Sequence, residues 1–128
     1  MPIAGELTQE QLELLFTHMP LGLGFSVADD EDVVVFWAGD GFSGCSPKLI
    51  GRSLFGCHPT RAHSAIEALL DDLKSGRKDV VDTVEHGQQG PERILYTALR
   101  DADGNYRGVL ETVLPIDDAE GPGATGGA

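Results

Sequence analysis

The sequence predicts an α+β domain, a single antiparallel sheet with its helices gathered on one face. Three observations predict it. Two strand-like runs precede a helical middle and three follow it, Gly- and Asp-rich turns separate the strands, and the longest helix has a marked stop. With 128 residues, the chain is long enough for one domain with a real core.

Residues 1–20 form the first unit, an amphipathic helix flanking the domain. Thr8 and Gln11 have capping-box spacing, and Leu12, Leu15, Phe16 and Met19 recur at helical intervals between Leu7 and Met19. This stripe packs on its own domain or on a second copy of the chain, and a homodimer contact is the expectation. The domain proper is expected over residues 21–117.

LGLGFSVAD (21–29) and DVVVFWAGD (32–40) read as a hairpin turning at the acidic run Asp29–Asp32. From Gly39 to Gly56 the mixture of Gly, Ser and Pro suits short helical turns. A longer helix is expected from Pro59 to about Lys74, with His58 at its N-cap and Pro59 at the first helical position. Ser75-Gly76 stops it, Gly76 serving as the left-handed cap. Three strands follow at about 79–86, 92–100 and 106–114, divided by GQQG and DADGN. In the second of them, either Leu95, Thr97 and Leu99 or Ile94, Tyr96 and Ala98 face inwards, and the pattern leaves both phases open. The tail, 118–128, is mostly Gly, Ala and acid and is expected to be disordered.

Asp and Glu number 21 against 9 Lys and Arg, a net charge of −12. That balance argues against nucleic acid and anionic membrane as partners. No apolar run approaches the roughly 18 residues of a membrane span. The opening MPIAGELTQEQ has no signal-peptide pattern, so a cytoplasmic protein is expected. Cys45 and Cys57 are read as free thiols. Paired catalytic carboxylates, a Ser-His-Asp arrangement, a P-loop and a dinucleotide fingerprint are all missing.

LIGRS before the longer helix, LKSGRKD after it and LRDADGNYRGVLETVLPID at the end resemble a PAS domain over about residues 8–117. GCHPTRAHSAIEALLDDLKSGRKD is similar to the branch of that family marked by Cys-His-Pro and a further His five residues on. The resemblance implies strand order 2-1-5-4-3 and a cavity for a ligand or cofactor between the sheet and the longer helix. It also implies that heme b is a candidate cofactor, since some PAS domains hold it on a helix histidine.

On a helical wheel His63 shares a face with Ile66, Leu70 and Leu73. Taken alone, such a histidine hydrogen-bonds a backbone carbonyl. Taken with the resemblance, it is the expected iron ligand, with Ile66 and Leu70 in the porphyrin wall and His58 as the alternative ligand. If both lie on one helix, they stand about 140° apart and do not share one iron face. Arg52, Arg61 and Arg93 are candidate propionate partners, and Tyr96 is a hydroxyl donor. The spacing of Cys45, Cys57, His58 and His63 matches no usual zinc pattern. SGCSPKLIG likewise lacks the flavin-binding signature of light-sensing relatives.

The resulting expectation is a stand-alone heme b protein similar to the small heme PAS enzymes that cleave N-nitroglycine to nitrite, glyoxylate and ammonium. One alternative is a heme sensor of O₂, NO, CO or redox state. Another is a cofactor-free PAS module for dimerisation or small-ligand binding.

Overall fold

The computed structural model describes residues 3–19, 24–39, 46–87 and 90–116. Expectations for Cys45, the ends of the first hairpin at 21–23 and 40, the GQQG turn at 88–89 and the tail lie outside these residues.

Helix α1 (Gln9–His18) begins at the expected capping box. Gln11 N–H donates to Thr8 Oγ1 at 3.0 Å, and Thr8 N–H donates to Gln11 Oε1 at 2.9 Å. The apolar stripe of α1 divides in its packing. Phe16 meets the rings of Phe25 and Phe36 at 5.5 and 5.3 Å, whereas Leu14, Leu15 and Met19 are exposed.

Strands β1 (Gly24–Asp29), β2 (Val34–Gly39), β3 (Val80–Gly87), β4 (Gly90–Arg100) and β5 (Tyr106–Pro115) form one sheet of five in the order β2-β1-β5-β4-β3. Every neighbouring pair is antiparallel, and the order is the expected one. The β1–β2 turn closes where the acidic run predicts. Asp29 Oδ1 accepts the N–H groups of Glu31 and Val33, and Asp32 adopts φ 65°, a left-handed conformation that Asp tolerates. Lys74 pairs with Asp32 at 2.9 Å and ties this turn to the second helix.

That helix, α2, spans His63–Lys74 and starts later than the sequence predicts. His58 and Pro59 are both extended, with ψ of 143° and 151°. Among the described residues, three short 3₁₀ turns precede α2: Pro47–Leu49, Leu54–Cys57, which His58 closes, and Thr60–Ala62, which leads into the helix. Pro59 is itself extended and serves as a pre-helical link, so the first helical turn begins only at Thr60. His58 therefore does not cap the helix, and the expectation that both histidines sit on one helix is corrected. The C-terminus ends as expected, with Gly76 at φ 84° and its N–H directed to Leu73 O at 3.3 Å.

The apolar face of α2 covers one face of the sheet. Ile66, Leu70 and Leu73 join Ala28, Val34, Leu54, Ile94, Tyr96, Val109 and Val113 in one buried cluster. This selects the Ile94–Tyr96–Ala98 phase of β4 as inward, a choice the sequence leaves open. Tyr106 and Trp37 border the same core.

Candidate functional site

Inward residues of an antiparallel sheet line up across strands, so register fixes what α2 faces. Ser26 on β1 is opposite Glu111 on β5, and Glu111 is opposite Tyr96 on β4. Further along the same face, Glu92 on β4 is opposite Glu85 on β3. Ser26, Glu92, Tyr96 and Glu111 are 8, 2, 1 and 6 % exposed, so the middle of an otherwise apolar face is polar, acidic and dry. Neither Tyr96 Oη nor Glu111 Oε2 has a hydrogen-bond partner.

Burial and then the Glu85 charge push the Glu111 carboxyl up to about 7. Glu85 itself is raised by burial and then by Glu92. The Tyr96 hydroxyl is raised by burial and then by Glu111 and Glu85, which keeps it a neutral donor. Among the described residues, no three His, Cys, Asp or Glu side chains converge as metal ligands.

The two histidines differ. His63, half-buried, places Nε2 3.0 Å from Phe55 O and 2.9 Å from His58 O. A ring nitrogen against two carbonyl oxygens must carry a proton, so Nε2 is a donor and only Nδ1 remains to accept. The ring also sits edge-on to Phe55, with centroids 5.4 Å apart. His58 is 8 % exposed, and its Nε2 is buried without a partner. Burial first, then the neighbouring His63, hold its imidazole below the usual value and favour the neutral form.

Beside His63 lies an open depression of about 550 Å³ lined by Phe55, Thr60, Arg61, Ser64 and Glu67. Arg61 therefore shares surroundings with His63, while Ile66 and Leu70 lie in the core at 5 and 1 % exposure. Arg93 is on the opposite face of the sheet, where its guanidinium forks onto Asp82 at 2.7–3.2 Å. Arg52 is exposed. Tyr96 is inward but adjoins carboxylates instead of cations. Tested against heme b, the histidine nitrogens left to meet iron are the buried Nε2 of His58 and the Nδ1 of His63, and admitting a porphyrin requires α2 to part from Ile94 and Tyr96.

Glu85, Glu111 and Ser26 escape the sequence reading. In VLETVLP and VVDTVEH a Glu in the inward phase looks like an ordinary strand glutamate, because the outward phase is equally apolar. The one available signal is the alternation itself. Once Tyr96 is inward, antiparallel pairing brings Glu111 to the same face.

No curated protein sequence matches this chain. Among solved structures, a C-terminal domain from Streptococcus mutans is 25% identical with TM-score 0.74 and 92% coverage of both chains. A sensory box sensor histidine kinase from Vibrio cholerae is 11% identical with TM-score 0.60, over 85% of this chain and 94% of that one. VqmA of Vibrio cholerae is 22% identical with TM-score 0.60, over 88% of this chain, which spans about half, 54%, of VqmA. No helix among the described residues is long and apolar enough to cross a membrane. The PAS domain profile matches residues 12–117, and with this coverage over the observed sheet order the chain belongs to the PAS domain family.

Proposed function

We propose that this chain is a PAS ligand-binding module that takes up a small molecule between the inner sheet face and α2, against Tyr96 and Glu111. The observation that carries this reading is the pair of buried, unpartnered polar atoms, Tyr96 Oη and Glu111 Oε2. Buried polar groups are normally satisfied, and each orphan costs about 1–3 kcal/mol. A ligand that donates to Glu111 and bonds Tyr96 supplies the missing partners. A structure of VqmA bound to DPO supports a ligand-binding use of related chains. The test is to titrate a small-molecule fragment library into ¹⁵N-labelled protein. Binding should shift the amides of residues 24–28, 94–98 and 109–113, whereas shifts confined to α1 and the outer face would refute the reading.

A second reading, heme b, is favoured by the neutral His58 imidazole with its buried free Nε2. Here His58 is the iron ligand, and His63 orients the preceding turn through its two carbonyl contacts. Bound heme would supply a reducible iron, suited either to nitramine cleavage of the N-nitroglycine lyase type or to sensing O₂, NO or CO. Protein produced with heme supply should show a Soret band that His58→Ala loses and His63→Ala retains. Absence of the band in the wild type discards this reading. Nitrite released from N-nitroglycine above free-heme controls separates enzyme from sensor. Homodimerisation through the exposed Leu14, Leu15 and Met19 fits either reading, and light scattering of a Leu15→Glu variant tests it.

A further inference from the structure

The inner face has a sign as well as a vacancy for hydrogen bonds. Glu85, Glu92 and Glu111 come from three adjacent strands onto one face with Tyr96 and Ser26, and four of these five side chains are more than nine-tenths buried. Burial and like charge alone perturb Glu85 and Glu111, and no described cation contributes. Six of the nine positive side chains are paired with carboxylates outside this cluster: Lys74 with Asp32, Arg77 and Lys78 with Asp72, Arg93 with Asp82, Arg100 with Asp79 and Arg107 with Asp101. Next to Ser26, Gly24 and Gly39 oppose each other in register and put no side chain on this part of the face.

Resting on the ligand-binding reading and narrowing it, we infer that the inner face recognises a small organic cation, a protonated amine. Its N–H groups meet Glu111 Oε2, Tyr96 Oη and the Ser26 hydroxyl, and Glu85 and Glu92 add negative potential. A cation within about 4–6 Å of a buried carboxylate favours its ionised form, so uptake restores charge to Glu111 and expels its proton. An anionic ligand meets the Glu85 and Glu111 charges as repulsion, and a neutral one leaves Glu111 uncompensated.

The test uses matched primary amines, alcohols and carboxylates built on ethyl, isobutyl and benzyl groups, titrated into the labelled full-length chain. Amines should shift the amides of Ser26, Tyr96 and Glu111, and carboxylates should not. Amine affinity should rise between about pH 6 and about pH 8, as Glu111 ionises. Glu111→Gln, with its fold checked by thermal melting, should lose about tenfold or more in amine affinity, and Tyr96→Phe should lose less. Alcohols or carboxylates that bind this face as well as the amines overturn the cation assignment and leave the ligand site standing. If no compound of any charge shifts these amides, both fall.

Discussion

Replacing Glu111 by Gln should stabilise the protein at neutral pH, the reverse of what removing a charged residue from a well-packed site usually does. The carboxyl is 6 % exposed and its pKa is pushed up to about 7, from an ordinary 4.5. Below pH 4.5 the group is protonated whether the chain is folded or unfolded, and it costs nothing. Between 4.5 and about 7 the folded protein keeps a proton that the unfolded chain has released, so stability falls as pH rises. Above about 7 the cost is complete. At about 1.4 kcal/mol per pH unit, the interval corresponds to about 3 kcal/mol. Gln has nearly the same shape and no proton to lose. Urea unfolding followed by Trp37 fluorescence should show a gap between variant and wild type that is near zero at about pH 4.5 and reaches about 3 kcal/mol by about pH 8. A gap that is constant across this range, or a variant less stable at the alkaline end, refutes burial of an ionisable Glu111.

Leu70, at 1 % exposure in the face of α2, should cost about 2–5 kcal/mol when changed to Ala, measured by the same unfolding assay. Gly108→Ala should be at least as damaging, because a Cβ there would collide with the Ala28 carbonyl oxygen in the neighbouring strand, and its melting temperature measures the loss. His63→Ala removes the ring that bridges the Phe55 and His58 carbonyls, so it should lose about 1 kcal/mol and raise amide exchange over residues 55–63. Thr8→Ala should fray α1, lowering its helicity by circular dichroism while leaving amide shifts on the inner face unchanged.

Legibility in the sequence follows the strength of local chemistry. The capping box of Thr8 and Gln11, the Asp29–Asp32 turn and the Gly76 stop are each written in a few adjacent residues, and each forms where expected. The start of α2 misleads because proline fits a first helical position and a pre-helical extended link equally well in sequence. Only the 3₁₀ turn at Thr60–Ala62, with Ala62 N–H bonded to Pro59 O, separates the two. The phase of β4 is hidden because both alternations are apolar, and the docking of α2 decides it. The acidic cluster is invisible for the same reason. Glu85, Glu92 and Glu111 are 26 residues apart from first to last, and only strand pairing brings them onto one face.

His63 shows what a helical wheel gives and what it omits. The wheel places it on the apolar side with Ile66 and Leu70, and it is half-buried there. What the wheel omits is the preceding turn, whose carbonyls fold back onto the ring. In that turn His58 holds a buried ring nitrogen without a partner.

The most direct test of a ligand-facing inner sheet is a high-resolution crystal structure of the protein crystallised with the tightest-binding amine. Density for that amine is expected within hydrogen-bond distance of the Glu111 carboxyl and the Tyr96 hydroxyl. Both groups bonded instead to protein atoms, in a cleft filled by side chains, would contradict it.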